Sequence, residues 1–280
     1  MFEIASMTHA TIYMSISVFF ILLFVLRANP FQTAGQFVQE LFTSRKYLLH
    51  FSAMLMILFF NKLELSIEKH MKNQNDFTPS LYGLEGDITA WIQQLFRNDW
   101  LTEFLTFYYV IVFTSLLIAS IGIYTHKKQY DLFYALCYAV MINYMVAIPF
   151  YFFFPVNEVW FFHPKVDFLI PEVFPTFEQE YRPLSGLNNC FPSLHTSLSV
   201  TIALIAARSG IKVWKWFTAI SAGIIIFSIF YLGIHWVLDM FAGVVLAILA
   251  SQIGLRLGES KRAYKEELGT SKWRKRDLNI

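Results

Sequence analysis

The chain has 280 residues, of which 56% are hydrophobic and only 15% are charged. A soluble domain carries about a quarter charged residues, so this composition excludes an ordinary water-soluble protein. The formal net charge of +2 is too small to indicate nucleic-acid binding. Two cysteines, Cys137 and Cys190, are too few for a disulfide framework, and we expect neither a bridge nor a metal site.

Apolar runs along the chain are long enough to cross a bilayer. A membrane-spanning helix needs about 20 mostly apolar residues, because its backbone hydrogen bonds must close within the helix. Seven runs approach this length, near residues 10–27, 46–65, 103–124, 131–154, 193–208, 213–232 and 236–256. The second and fifth runs are the weakest. We therefore predict an all-α, polytopic membrane helix bundle with six to seven transmembrane helices.

Two polar stretches, residues 66–100 and 155–192, are longer than simple connections. In the first stretch, apolar residues recur at helical spacing: Ile88, Trp91, Ile92, Leu95 and Phe96. This pattern is typical of an amphipathic helix lying on the lipid headgroups, and equally of a short helix packed against the protein. We predict such an interfacial segment over about residues 79–98.

Basic residues follow three of the late spans. They are His126, Lys127 and Lys128 after the third span, Arg208, Lys212 and Lys215 after the fifth, and Lys261, Arg262, Lys265, Lys272, Arg274, Lys275 and Arg276 after the seventh. Cytoplasmic loops carry an excess of Lys and Arg, so we predict that these segments, with a basic tail over residues 258–280, are cytoplasmic. The loop 155–192 and the corner at residues 233–235 then lie together on the outer face.

The first candidate motif lies where the outer loop turns into an apolar helix, at Phe191-Pro192-Ser193-Leu194-His195. A helix start presents free backbone N–H groups and the positive end of the helix dipole, so it can hold a phosphate group. The Ser193 hydroxyl can add a hydrogen bond, and His195 would face the bound anion. The alternative is a serine that only caps the helix and a histidine that only packs.

The second candidate motif contains His235 and Asp239, which share one face of a helix because they are four residues apart. Asp239 is the only formally charged residue between Trp216 and Leu255, and an ionisable side chain in a membrane span indicates a functional site. Its carboxylate can accept a proton from one imidazole nitrogen and so present the other nitrogen as a nucleophile. A purely structural His–Asp pair is the alternative.

These two motifs resemble those of the type 2 phosphatidic acid phosphatase superfamily of membrane lipid phosphatases and phosphotransferases. Residues 192–195 match one motif of that superfamily in full, and Ser228, His235 and Asp239 match another at the correct spacing. The resemblance covers about residues 130–256. It implies a single transmembrane catalytic domain over residues 1–257.

The resemblance also implies a role for each matching residue. His235 would form a phosphohistidine, Asp239 would orient it, and His195 would protonate the leaving oxygen. Ser193 and Gly233 would belong to the phosphate-binding set. No metal and no cofactor are expected.

The sequence departs from the superfamily pattern in its cationic residues. Ile229 stands where the superfamily usually has a phosphate-binding Arg, and Pro175 stands where a Lys belongs, although Arg182-Pro183 is present. Such losses resemble the branch that includes the fungal inositol phosphorylceramide synthases.

The outer loop offers the remaining candidates for phosphate binding. A phosphoryl group in transfer needs donors and cations to stabilise its charge, and Arg182 is the first candidate. Lys165 and His163 come next, although a basic residue in such a loop is more often a surface charge. Asn188 and Asn189 are explained equally well by turn formation, and we expect Glu158 and Asp167 to be solvated.

We therefore predict a multi-pass membrane enzyme, a lipid phosphatase or phosphotransferase, that acts through a phosphohistidine on a phospholipid or an isoprenyl (pyro)phosphate at the outer membrane face. Its partners would be this lipid phosphate and membrane lipids, with no nucleic acid. A phosphodiester-forming headgroup transferase is the alternative. A transporter that uses His235 and Asp239 as a proton relay belongs to another class. The near absence of ionisable residues from the spans near 10–27, 103–124 and 131–154 argues against it.

Overall fold

The structure is a computed structural model, and it describes residues 3–68, 70 and 75–276, with the backbone alone for residue 68 and residues 260–276. Within these ranges the chain forms α-helices and no β-strand, which confirms the predicted all-α class. The helices are α1 Met7–Leu26, α2 Pro30–Thr43, α3 Arg45–Glu68, α4 Thr78–Glu85, α5 Ile88–Phe96, α6 Asp99–Phe107, α7 Phe113–His126, α8 Tyr130–Phe153, α9 Val159–Phe162, α10 Phe177–Glu180, α11 Arg182–Ser185, α12 Leu194–Ala206, α13 Lys212–Tyr231 and α14 Val237–Arg276.

Six helical segments in the described part of the chain are long and apolar enough to cross a membrane. They are Met7–Leu26, Arg45–Ile67, Asp99–His126, Tyr130–Phe153, Lys212–Tyr231 and Val237–Glu259. Each matches a predicted span, so the predicted bundle is confirmed. The remaining predicted span, residues 193–208, is a helix of 13 residues. At 1.5 Å per residue it is about 20 Å long, which is shorter than the hydrocarbon core.

Helix α2 was not predicted from the sequence. Pro30 occupies its first turn, and the Asn29 side chain caps it by accepting the backbone N–H of Phe31 at 2.9 Å. Its apolar residues do not form a continuous run, so it lacks the sequence signal of a membrane span. The helix packs against α7 and α3.

Helices α8, α12 and α14 form the centre of the bundle. Helix α14 approaches the start of α12 closely, because Gly243 has no side chain at the contact. A Cβ atom at this position would lie 2.7 Å from the carbonyl oxygen of Ser193. Small residues at helix contacts are how membrane bundles bring backbones together, and here the contact joins the two helices that carry the histidine motifs.

The polar loop 155–192 packs on the corner between α13 and α14. The backbone N–H of Val159 donates to the carbonyl of Ile234 at 3.2 Å, and that of Trp160 donates to Gly233 at 2.9 Å. The loop is therefore fixed by backbone hydrogen bonds to the segment that carries His235.

The predicted interfacial segment forms α4 and α5, with a break at residues 86–87. Gln93 faces the protein and donates to the carbonyls of Asp167 at 2.8 Å and Tyr231 at 3.0 Å, while Trp91 and Leu95 are exposed. Its position on the headgroups stays a prediction. In the predicted basic tail, the backbone of α14 is helical to Arg276, and residues 277–280 lie outside the described residues.

Candidate active site

Gly233 makes the turn that presents His235. Its φ angle is +80°, in the left-handed region that favours glycine. A Cβ atom there would lie 2.8 Å from the carbonyl oxygen of Asp167. The backbone N–H of His235 donates to the carbonyl of Ile229 at 3.1 Å, which closes the corner. The structure thus gives Gly233 a role in chain reversal, next to the residue expected to carry the chemistry.

His235 and Asp239 are buried together at the start of α14. His235 Nδ1 lies 3.3 Å from Asp239 Oδ2, and the same oxygen accepts the backbone N–H of Trp236 at 2.9 Å. The exposed fraction is 4% for His235 and 0% for Asp239. This geometry engages Nδ1 of His235 and leaves Nε2 available as a nucleophile.

The start of α14 is also held by Glu85, which the sequence did not suggest as a site residue. Its carboxylate accepts the backbone N–H of Val237 at 2.7 Å and that of Leu238 at 2.6 Å. Burial raises the pKa of the Glu85 carboxyl, and these two N–H groups oppose that shift. A carboxylate at a helix N-terminus satisfies free N–H groups and complements the helix dipole. Helix α4 is therefore tied to the residues between His235 and Asp239.

His195 lies in the first turn of α12 and approaches His235. The two ring centroids are 6.2 Å apart. The His195 ring also packs against Tyr109 at 4.1 Å and Phe113 at 4.5 Å, measured between centroids. Tyr109 belongs to a π-helical turn, Tyr108–Val112, between α6 and α7. Such turns shift the register of the helix and recur at functional sites, so regular helical spacing could not have singled out this tyrosine.

Ser193 caps α12. Its hydroxyl accepts the backbone N–H of Thr196 at 3.3 Å, and its own N–H donates to the carbonyl of Asp239 at 3.1 Å. The Ser193 side chain is fully buried, and it does not line the cavity that lies beside the two histidines. The structure therefore places Ser193 in the joint between α12 and α14, and its hydroxyl is already engaged in capping.

A cavity of about 120 Å³ lies against the two histidines. Four tyrosines line it: Tyr109, Tyr144, Tyr151 and Tyr181. Glu158, Asn61, Ser185 and Asn189 contribute further polar groups, and Phe113, Leu184, Leu194, Leu198 and Ile234 contribute apolar ones. Among the described residues of the lining there is no Lys and no Arg. The cavity thus offers many neutral hydrogen-bonding groups and little positive charge.

Arg182 lies beside this cavity, but carboxylates surround it. Its guanidinium Nη2 lies 2.8 Å from Glu158 and 2.9 Å from Glu178, and Nη1 donates to the carbonyl of Gly186 at 2.9 Å. The expectation that Glu158 is solvated was wrong, because the residue is 4% exposed and lines the cavity. Burial raises the pKa of the Glu158 carboxyl, and the Arg182 guanidinium opposes that shift.

Lys165 does not line the cavity. Its Nζ lies 2.7 Å from Asp87 Oδ2, and its side chain is 58% exposed. This pair raises the pKa of Lys165. His163 is buried and bonds the other oxygen of Asp87 at 2.9 Å. Both basic residues therefore join the outer loop to the α4–α5 connection.

Ile229, where the superfamily usually has an Arg, is fully buried among apolar side chains. No cation at that position reaches the histidines. Arg182 remains as the one predicted cation beside the cavity, and two acidic residues already neutralise it.

Cys190, His235 and Asp239 form a cluster whose donor atoms lie within 4.8 Å of one another. All three are buried. Burial raises the pKa of the Cys190 thiol well above its ordinary value, and a thiol must lose its proton to bind a metal. The donor set is therefore poorly suited to hold a resident metal ion.

The sequence profile of the PAP2 superfamily matches residues 83–253. No curated protein sequence matches the chain. Among solved structures, the crystal structure of LpxE from Aquifex aeolicus is similar, with 23% sequence identity and a TM-score of 0.48 over 62% of this chain and 95% of that chain. Since the profile covers more than half of the sequence, the chain belongs to the PAP2 superfamily.

Proposed function

We propose that the protein transfers a phosphoryl group from a phospholipid or an isoprenyl (pyro)phosphate through a phosphohistidine on His235. The observation that carries the proposal is the 6.2 Å approach of the His195 and His235 rings beside one cavity, with Asp239 on Nδ1 of His235. Two imidazoles from distant parts of the chain thus meet at one place. Membership of the superfamily supports a lipid phosphate as the substrate.

In the first step, Nε2 of His235 attacks phosphorus and forms the P–N bond. The P–O bond to the leaving group breaks; this group is a lipid alcohol or, for a pyrophosphate, a lipid monophosphate. His195, in its protonated form, gives its proton to the leaving oxygen. Asp239 holds the His235 tautomer and stabilises the positive charge that develops on the ring. The apolar rings of Tyr109 and Phe113 hold the His195 ring in place.

In the second step, an oxygen nucleophile attacks phosphorus and gives its proton back to His195, while the P–N bond breaks. Water as nucleophile makes the enzyme a phosphatase. An alcohol makes it a phosphotransferase. Its product is a phosphodiester when the donor is itself a phosphodiester, because the transferred phosphate then keeps its headgroup while the lipid alcohol leaves.

The scarcity of free positive charge favours the transferase as a second candidate. A phosphate monoester carries about 1.5 to 2 negative charges at neutral pH, whereas a phosphodiester carries one. Glu158 and Glu178 already engage Arg182 beside the cavity, and the described lining itself has no Lys or Arg. A monoanionic phosphodiester therefore costs less to bind in this cavity than a dianionic monoester.

The distribution of basic residues supports a site on the non-cytoplasmic face. The histidines lie at the starts of α12 and α14, whereas Lys127, Lys128 and Arg208 follow the ends of α7 and α12. These basic segments are at the opposite end of the bundle, which the excess of cytoplasmic Lys and Arg assigns to the inside.

The test is His235→Ala in the purified full chain in detergent, with a lipid labelled in its phosphate group. We expect the labelled phosphoenzyme and all product to disappear. The matched control is His9→Ala, which changes an exposed histidine on α1 and should leave both signals intact. Undiminished turnover by His235→Ala would remove the nucleophile assignment and the proposal with it.

A further inference from the structure

The wall of the cavity away from the histidines is unusually polar for a region next to a membrane span. Asn61 on α3 lines it, together with Ser185 at the end of α11 and Asn189 in the outer loop. Behind them lies Glu64, one turn after Asn61 on α3. We call Asn61, Glu64, Ser185 and Asn189 the polar wall.

Glu64 is a buried acid within the Arg45–Ile67 span, with 2% of its surface exposed. The Asn189 side-chain amide donates to its two oxygens at 3.2 and 3.4 Å. An ionisable residue in a span is costly and marks a functional site by default. Here its hydrogen bond orients Asn189, so the amide group of Asn189 has a fixed direction in the cavity wall.

Two polar atoms of this wall lack a partner within the described part of the chain. They are Ser185 Oγ and Asn189 Oδ1. Buried polar atoms are nearly always hydrogen-bonded, and an unpaired one calls for a partner that the free protein does not supply. Both residues line the same cavity as His195 and His235, so a molecule bound at the histidines is within reach of the unpaired groups.

We propose that the polar wall is a binding subsite for alcohol hydroxyl groups carried by the group next to the reacting phosphate. This inference rests on the proposed function. Hydroxyls both donate and accept hydrogen bonds, which suits the Ser185 hydroxyl and the free amide oxygen of Asn189. A second anionic group is excluded by Glu64 and Glu158, since like charges repel at close range. An apolar chain would leave the unpaired atoms unsatisfied.

The hydroxyls have two sources, the headgroup of a phosphodiester donor or a free acceptor alcohol. Phosphatidylglycerol carries the hydroxyls in its headgroup, and phosphatidic acid with added glycerol provides them in a free acceptor alcohol. Phosphatidic acid alone has neither a hydroxylated headgroup nor an acceptor alcohol. Its turnover therefore measures the proposed histidine chemistry without the subsite. Asn61 and Glu64 lie outside the matched residues 83–253, so α3 would set headgroup specificity independently of the superfamily motifs.

The experiment compares the wild-type chain with Ser185→Ala and Asn61→Leu in detergent. The ratio of kcat/KM for phosphatidylglycerol to kcat/KM for phosphatidic acid, and the yield of glycerol transfer, should fall by about 2- to 10-fold in each variant, the value of one hydrogen bond. Ser251→Ala is the matched control. It removes a buried hydroxyl of the same size from α14, where the oxygen bonds the carbonyl of Ile248, and should leave the ratio unchanged.

The outcomes separate the subsite from the proposed function. An unchanged ratio and an unchanged transfer yield in both variants overturn the subsite, as does a wild-type enzyme that hydrolyses phosphatidic acid and uses neither hydroxylated group. If His235→Ala keeps its activity, the proposed function fails, whatever the two variants do. A wild-type chain that is inactive on both phosphatidylglycerol and phosphatidic acid also contradicts the subsite, because neither lipid then serves as a phosphate donor.

Discussion

Two membrane spans of this protein meet very different surroundings. In the most apolar stretch of Asp99–His126, 61% of the residues are buried inside the protein, whereas in Arg45–Ile67 only 17% are. Lipid tails and apolar side chains are similar solvents for a helix, so both segments have the apolar composition of a span. The environment of Asp99–His126 is therefore set mainly by packing against other helices. That of Arg45–Ile67, at the periphery of the bundle, is set mostly by lipid.

The peripheral helix is not uniform along its length. Leu49, Leu55 and Phe59 are exposed in its first part and middle, whereas Glu64 and Leu65 near its end are buried against the outer loop. The matched superfamily region begins at residue 83, after this helix. The candidate site with its two histidines thus lies at the starts of the central helices α12 and α14, and α3 contributes a polar end to the cavity. Four substitutions test this division, in order of decreasing effect.

His195→Ala should have the largest effect, because it removes the proposed proton donor from the centre of the bundle. General-acid catalysis is worth about two to four powers of ten in rate. We expect single-turnover formation of the phosphoenzyme to slow by this amount, with little change in lipid binding. His50→Ala, a change on α3 outside the cavity lining, is the comparison. An unchanged rate would assign His195 to packing alone.

Gly243→Ala should disrupt the joint between α12 and α14. The new Cβ atom would lie 2.7 Å from the Ser193 carbonyl oxygen, so the two helices must move apart. Overpacking of this kind costs about 1–3 kcal/mol, and both the thermal midpoint in detergent and the turnover should fall. Gly223→Ala on α13 meets nothing within 4 Å and should preserve both. Equal behaviour of the two variants would show that the joint is not tightly packed.

Glu85→Ala should lower activity more than a typical change in the polar loops. It removes the acceptor of two backbone N–H groups at the start of α14, and loss of a helix cap costs about 0.5–2 kcal/mol. We expect reduced turnover and a lower thermal midpoint, with partial recovery in Glu85→Gln, which keeps one acceptor oxygen. Glu172→Ala, which breaks an exposed ion pair with Arg97, should have almost no effect.

The smallest effects should come from neighbouring positions on α3. Met54 is 1% exposed and Leu55 is 47% exposed. Met54→Ala leaves a packing defect and should cost roughly 1–2 kcal/mol, less than in a soluble core because lipid also solvates apolar groups. Leu55→Ala should stay within about 0.5 kcal/mol. The thermal midpoints of the two variants in detergent measure these losses of stability. A larger loss for Leu55→Ala would show that Leu55 packs against protein and not against lipid.

Much of the site was visible in the sequence because local spacing carries it. His235 and Asp239 are four residues apart, so the sequence predicted that they share one face of a helix. The pair forms, but His235 precedes the first residue of α14, Val237. The Asp239 carboxylate reaches it from the first turn of that helix, where the same oxygen accepts the backbone N–H of Trp236. The Pro192-Ser193 pair likewise indicates a helix start at His195. The cationic residues were harder to place, since a loop gives no periodic signal. Arg182 lies beside the cavity, and Lys165 lies in a surface ion pair.

By itself, the sequence determined that the chain is a helical membrane bundle, because apolar run length is a local property. It also indicated two histidine motifs as the candidate site, because the spacing within each motif is local. Only the tertiary structure decided that Glu158 neutralises Arg182, that Glu85 holds the start of α14, and that Glu64 reaches the outer loop. Each of these contacts joins residues from different elements. The burial of a carboxylate, and hence its role, depends on which partners the fold brings to it.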